Sequence, residues 1–484
     1  MTFPLQREIP WRDPAACFAR LRAAHPQGAV FLDSAMGDPG LGRFSSIAVD
    51  PFGRLRAVGR RLWRDGRPLA GGDPFSALEE ALAAWRQPTL PHLPPFQGGA
   101  AGWLGYDLGQ RLEVLPNPRD ARRRFDDLAL GFYDTVLTFD LAERRCWLIS
   151  SGRPLEGRRE RADRARRRMD AWEDLLRGVP TGATADEDPV ATQGAGPRPR
   201  RRPGIIRANF SRAGYEAAVT RVIDDILAGD IFQANLSQCF RARLPAGDSP
   251  WSLYQRLRQT NPAPFAAYLQ WDRQVLASAS PERFLRLDPE GHVETRPIKG
   301  TRPRGATPAA DERLAAELLA SAKDRAENVM IVDLLRNDLS RVCRDHTVEV
   351  PVLCGLESFR TVHHLVSVVT GRLQEDRGAV DLLRAAFPGG SVTGAPKIRA
   401  MEIIAELEPT RRGPYCGAVA WLGFDGAMDS SIVIRSYTVK GRAVTFQAGG
   451  GIVADSEPAA EYDETLAKAA ALMAALGGRL VEAP

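Results

Sequence analysis

At 484 residues, 44% of them hydrophobic and 26% charged, the chain suffices for two or three average domains or one large two-lobed enzyme, and its composition is globular, not disordered or fibrous. A formal charge of +5, from 65 basic and 60 acidic residues, is too small an imbalance to point to nucleic acid or another polyanion. Its six cysteines form no CxxC pair and have no regular spacing, which argues against a zinc site or a disulfide framework, and no apolar run reaches the roughly 18 residues a membrane span needs. A cytoplasmic protein is expected.

In chain order, "AVFLDSA", "GFYDTVLTF" and "RCWLISS" read as strands. Between them "DPFSALEEALAAWRQ" reads as a helix opened by Asp-Pro. "GRRERADRARRRMDAWEDLLRG" has helical spacing and one basic face, which is a solvated surface or, less simply, a nucleic-acid contact. Residues 178–206 are rich in Gly, Pro, Ala and Thr and read as a flexible linker between an N-terminal region, 1–177, and a second region, 207–484. Beyond it come a helix at "YEAAVTRVIDDILAGD", strands at "FAAYLQ", "QVLASAS" and "SSIVIRSYTV", and a last helix near 457–476. The mixture is α/β or α+β, without a periodic repeat.

That last helix carries Glu461, Glu464 and Lys468 at i, i+3 and i+7, within roughly 60° of one another on one face. The plain reading is Glu464 to Lys468 pairing on an exposed helix. The preceding "FQAGGGIVADSEP" suggests more, because three glycines after a strand let backbone amides approach an anion closely. Glu327, one turn from Lys323, adds a third carboxylate; either a hard cation such as Mg2+ or a Glu-Lys-Arg network brings such groups together. Arg435, alternating into a strand, and the glycine-rich 388–403 segment before a helix are further anion binders. Glu282 and His364 are the groups able to move protons.

Only five lysines, at 299, 323, 397, 440 and 468, stand among the 65 basic residues. A lysine kept where arginine is the rule is a candidate for chemistry that arginine cannot do, since a neutral amine is a nucleophile and a guanidinium is not. Lys299 in "RPIKGTRPRG" is the sharpest case, with Arg296 and Arg302 placed to repel its proton.

Together "GDIFQANLSQ", "SASPERF", "RPIKGTRPRG", "SAKDRAENVMIVDLLRNDLSRV", "HHLVS", "PGGSVTGAPKIRAME", "CGAVAWLGFDGAMDSSIVIRS" and "QAGGGIVADSEPAAEYDETLAKA" resemble the chorismate-utilising enzymes, a family of anthranilate, aminodeoxychorismate, isochorismate and salicylate synthases. "FQGGAAGWLGYDLGQRLEVLP" extends the resemblance into the N-terminal half. It implies a fold of two intertwined subdomains, packed β-sheets flanked by helices. It also implies that Glu327 and Glu464 bind Mg2+ with Glu461 close by. Arg435, Tyr415 and the amides of Gly449 and Gly451 hold a carboxylate of chorismate, and Lys468, Gly300, Thr301 and His364 line the substrate.

Water-using members have a general-base lysine where this chain has Gln233, and anthranilate synthases read alanine where it has Lys299. The lysine version marks the aminodeoxychorismate-forming members, with Lys299 as nucleophile, Glu282 as acid and His364 assisting. No cysteine lies in a GxCxG elbow, so ammonia must come from a separate glutaminase subunit. The tryptophan pocket of anthranilate synthases has its counterpart at Ser34, Asn261 and Pro262, where feedback inhibition does not follow. The rivals are an anthranilate synthase large subunit and a non-catalytic, nucleic-acid-binding or regulatory homologue.

Overall fold

In a computed structural model, the structure describes residues 3–36, 40–182, 204–359 and 362–481. Residues 183–203 of the 178–206 linker lie outside the described residues, while 204–206 are not linker but the start of the strand Gly204–Ala208. Two large sheets, of 13 and 12 strands, account for the strands described, and they are antiparallel apart from the pairing of 204–208 with 478–481.

Each sheet is assembled from both halves of the sequence. In the first, Ala29–Asp33 pairs with Phe265–Trp271, joining five N-terminal strands to the later ones. In the second, Gly99–Leu104 pairs with Ala418–Gly423. Residues 1–177 and 207–484 thus share both sheets and both cores.

The apolar alternation explains the layering. Val30, Trp103, Tyr133, Val136, Leu269 and Val419 are buried between the sheets, while Phe18, Trp172, Tyr254 and Leu472 seal the outer face of the first sheet against helices. Helix Pro74–Ala83 begins at Asp73 as read, the Asp73 carboxylate accepting from Ser76 N–H at 3.0 Å. The basic helix, Arg158–Leu176, buries Ala165, Met169 and Trp172, and its Arg164 and Arg168 pair with the buried Asp134 at 3.1 and 3.4 Å. Arg164 and Arg168 are thereby drawn into the fold, while Arg158, Arg159, Arg166 and Arg167 stay on the exposed face of the helix.

Two runs read as single strands are each two strands in different sheets. "GFYDTVLTF" breaks at Asp134, between Leu128–Tyr133 and Thr135–Asp140. "SSIVIRSYTV" breaks at 433–435, between Met428–Ile432 and Ser436–Lys440. A third passage between sheets, at Pro281 and Glu282, follows Gln274–Ser280. The strand-like character persists across each break because the residues on either side are still buried in a core.

Candidate active site

Two of these passages set side chains into the cleft between the sheets. Arg435 does not alternate within a strand, as the sequence reading had it; it occupies the break itself with φ +52°, a left-handed conformation costing a non-glycine residue about 1 kcal/mol or more. Its Nη1 donates to the Lys468 carbonyl at 3.0 Å, tying the passage to the last helix, Pro458–Leu476. Burial lowers the Arg435 pKa, with Tyr415 and Glu464 opposing that shift, and the same burial raises the Tyr415 phenol.

Glu282, at the other passage, is buried in apolar surroundings that raise its pKa to about 7, against hydrogen bonds from Ser391 and the Ile298 N–H and the charge of Lys299. The carboxyl therefore holds a proton near neutrality.

Lys299 lies on the strand Ile298–Pro303, whose register against Val362–Arg372 slips between Ile298 and Thr301. The slip is a bulge at Lys299 and Gly300, and Gly300 takes φ +82° within it. A bulge re-aims the side chain beside it, here that of Lys299. A Cβ at Gly300 would also meet Leu318 Cδ1 at 2.9 Å, so glycine is required twice over. Lys299 keeps some surface open to the cleft, but desolvation lowers its pKa, as does Lys468, while Glu327, Glu282 and Glu464 pull the other way.

The arginines of "RPIKGTRPRG" play no part in this shift. Arg296 pairs with Glu357, Arg302 with Glu317 at 2.8 Å and Asp324 at 3.3 Å, and Arg304 with Asp311 at 2.6 Å. The expected repulsion from Arg296 and Arg302 is thus corrected: carboxylates neutralise them, and burial acts in their place.

Across the cleft, Gly449–Gly451 are part of the strand Ala443–Ile452, paired with Asn235–Ser237, not an open loop as the sequence suggested. Glycine is needed there because neighbours come too close. A Cβ at Gly449 would stand 2.2 Å from the Leu236 carbonyl oxygen, and one at Gly451 would stand 1.9 Å from Gln233 Nε2 and 3.2 Å from Lys299 Nζ. At Gly450 the Cβ position faces Glu461 Oε2, Glu464 Oε1 and Lys468 Nζ at 3.2, 3.4 and 3.6 Å.

The helical phase of Glu461, Glu464 and Lys468 thus places all three against one strand position. Lys468 bonds Glu464 at 2.6 Å and the Gly449 carbonyl at 2.9 Å; Lys323 lies 3.7 Å from Glu461, which also accepts from Ser456 at 2.7 Å. Glu327, on helix Ala322–Ser340, accepts from Gln233 Nε2 at 3.3 Å. Burial raises Glu327 and Glu461; it acts on Glu464 too, but Lys468 and Lys323 bring that carboxyl below its ordinary value. Burial, with the charge of Arg435 adding to it, lowers the His364 pKa to about 4, so it is a neutral imidazole whose Nδ1 meets Thr301 Oγ1 at 2.9 Å.

Not every expected residue is nearby. Ser34 lines a cavity of about 380 Å3 between the sheets with Pro264, Phe265, Arg283 and Asp429, but Asn261 and Pro262 are outside its lining. Asn261 closes the helix Pro250–Thr260, its N–H on the Leu257 carbonyl, so the next strand meets the cavity only from Pro264. Ser391 and Ser456, which orient Glu282 and Glu461, escaped the sequence reading although "PGGSVTG" and "ADSEP" contain them.

The family described as chorismate binding enzyme matches residues 29–474. Aminodeoxychorismate synthase component 1 of Klebsiella aerogenes is 42% identical over 97% of this chain and 98% of its own length. Anthranilate synthase component 1 of Streptomyces coelicolor is also 42% identical, over 97% of this chain and 92% of its own. The crystal structure of anthranilate synthase component I from Streptococcus pneumoniae superposes with a TM-score of 0.76 at 31% identity, over 89% of this chain and 92% of that one. Identity alone does not separate two activities that match equally well; the residues of the cleft must.

Proposed function

The chain belongs to the chorismate binding enzyme family, and from that premise we propose that it aminates chorismate at C4, forming 4-amino-4-deoxychorismate as an aminodeoxychorismate synthase of the component 1 type. Lys299 carries this reading. It is the residue by which the aminodeoxychorismate-forming members resemble this chain, and its lowered pKa and position across from Gly451 suit an amine nucleophile.

Neutral Lys299 attacks C2 of the ring; the double bonds shift and the C4 hydroxyl leaves with the proton that Glu282 holds. Ammonia then attacks C4, the double bonds shift back, and the Lys299 nitrogen departs from C2, its electron pair restored. Two successive displacements keep the configuration at C4. Gln233 in place of a basic lysine leaves water without a general base, which favours ammonia as the second nucleophile. Arg435, Tyr415 and the glycine strand hold one carboxylate of chorismate, and neutral His364, through Thr301, fixes the bulge that aims Lys299.

Mg2+ is the proposed cofactor, and the donor set fits a hard cation: Glu327, Glu461 and Glu464 offer only carboxylate oxygens, with lysines now neutralising them. Among the described residues no three metal-ligating side chains form a ready-made cluster, so the ion would take one or two of these carboxylates and complete its shell with water and substrate oxygen. When bound, it supplies positive charge to the second carboxylate of chorismate.

A separate glutaminase subunit is the proposed source of ammonia; in support, each of the six cysteines of this chain is buried and burial raises the thiols of Cys17, Cys146, Cys239, Cys343 and Cys416, which suits none of them to glutamine hydrolysis. A lyase must follow to give 4-aminobenzoate for folate. Free buried thiols fit a reducing cytoplasm, and no helix among the described residues is long and apolar enough to cross a membrane.

Incubation with chorismate, ammonium and Mg2+, followed by chromatography, tests the reading. The expected product releases 4-aminobenzoate only after a lyase is added. Direct formation of fluorescent anthranilate with pyruvate would assign the chain to the anthranilate branch instead.

A further inference from the structure

A second cavity, of about 350 Å3, opens on the first sheet beyond the wall of the chorismate cleft. It lies at the low end of the roughly 300 to 1,000 Å3 usual for small-molecule sites. Its floor is one face of three strands: Cys239 pairs with Gln447, Arg241 with Thr445, Thr438 with Thr445 and Lys440 with Ala443, and these residues line the space. Arg412 forms the partition from the cleft, its guanidinium on Glu408 at 2.7 Å and 4.6 Å from the Tyr106 ring centroid, its carbonyl accepting from Gln447 at 2.8 Å.

Seven cationic side chains line the cavity and only one acidic one, Asp107. Four cations are balanced one for one or share a carboxylate: Arg123 with Asp127 at 2.5 Å, Arg411 with Asp107 at 3.6 Å, Arg412 with Glu408, and one of Arg122 and Arg124, which meet Asp120 at 2.7 and 2.6 Å. Three positive charges remain. One belongs to that Arg122 and Arg124 pair, one is Lys440, whose Nζ has only the Arg124 carbonyl at 3.0 Å as hydrogen-bond partner among the described residues, and one is Arg241.

Arg241 is the telling residue. Its Nε and Nη2 are closed off from solvent without a hydrogen-bond acceptor; the Cys239 thiol beside it is a weak partner whose own pKa the guanidinium holds down against burial. Arg241 is only part-buried and lines the cavity, so an anion there meets the open end of a guanidinium whose shielded donors have no acceptor to offset its charge. Phe125 and Pro414 give the same cavity an apolar wall.

We propose that this cavity binds a small organic anion, its carboxylate held by Arg241 and Lys440 and its apolar body against Phe125 and Pro414, at a site separate from the chorismate cleft. The proposal does not depend on which reaction the cleft performs.

Benzoate is the probe, titrated by calorimetry into the full chain. Because benzoate also suits the cleft, the background is Arg435→Gln, which weakens the carboxylate grip there. That variant is expected to keep one benzoate-binding event. Adding Arg241→Met, which retains the aliphatic stem, or Lys440→Gln at the exposed rim should weaken it about tenfold or more, the size of a lost charged hydrogen bond. Inorganic phosphate, charge without an apolar body, should bind about tenfold or more weakly than benzoate. As single changes, Arg241→Met and Lys440→Gln leave the KM for chorismate unchanged. Benzoate binding that vanishes with Arg435→Gln alone, or that survives both cavity variants, overturns the second site. Phosphate binding as tightly as benzoate overturns the organic character of its ligand.

Discussion

Glu282 offers the most exacting test of the proposed chemistry, because one burial effect predicts both a rate and a stability. Its carboxyl moves from an ordinary 4.5 to about 7. At about 1.4 kcal/mol per tenfold in proton affinity, the folded state disfavours the ionised form by about 3 kcal/mol. Between those two values the folded chain holds a proton the unfolded chain has released, so stability falls as pH rises and the loss is complete above about 7. Glu282→Gln keeps the shape and cannot ionise. Urea unfolding at about pH 5 and about pH 8 should therefore show wild type losing up to about 3 kcal/mol more than the variant. In activity, a proton on Glu282 is needed when the C4 hydroxyl leaves. At constant free ammonia the wild-type rate should fall through about pH 7, and Glu282→Gln should be slower by about 10²-fold to 10⁴-fold and lack that limb. Equal dependence of stability on pH in the two proteins would refute the burial argument. An alkaline limb retained in the variant would refute the role of the proton.

Lys299→Ala should abolish any covalent adduct seen by intact-mass measurement after mixing with chorismate; an undiminished adduct removes Lys299 as nucleophile. Gly451→Ala puts a Cβ 1.9 Å from Gln233 Nε2 and 3.2 Å from Lys299 Nζ, and relieving that clash costs about 1–3 kcal/mol, so kcat should fall at least about fivefold; Gly204→Ala, with nothing within 4 Å, should be silent. Chelation of Mg2+ should stop turnover, and Glu464→Gln should raise the Mg2+ needed for half-maximal rate about tenfold or more, a titration that would come out unchanged if Glu464 served only to pair Lys468.

What the sequence discloses of this site follows a physical division. The last helix was readable in full, because Glu461, Glu464 and Lys468 owe their common face to helical period alone, and that face is the one set against Gly450. The passages between sheets were not, since "GFYDTVLTF" and "SSIVIRSYTV" each read as one continuous strand-like run while the chain changes sheet. A run of β-branched and aromatic residues reports that a segment is buried and extended, not which sheet it belongs to. Glu282 and Arg435 were therefore legible as a proton carrier and an anion binder, but not as residues of the passages between sheets.

Rarity of lysine selects Lys299, but it selects Lys397 equally, and only packing separates them. Lys397 lies 2.6 Å from Asp338 and donates to the Ala386 carbonyl at 2.9 Å, a part-buried ion pair. Among the described residues no such ion pair holds Lys299; it feels Glu327, Glu282 and Glu464 at longer range, and desolvation outweighs them. An amine with a carboxylate in contact is a strut, whereas a buried amine kept just short of one can lose its proton. The bulge at Gly300 makes that difference, because it turns Lys299 toward Gly451 while the neighbouring arginines turn outward to Glu357, Glu317 and Asp311. It follows that Lys299→Arg, conservative in charge, should be as inactive as Lys299→Ala.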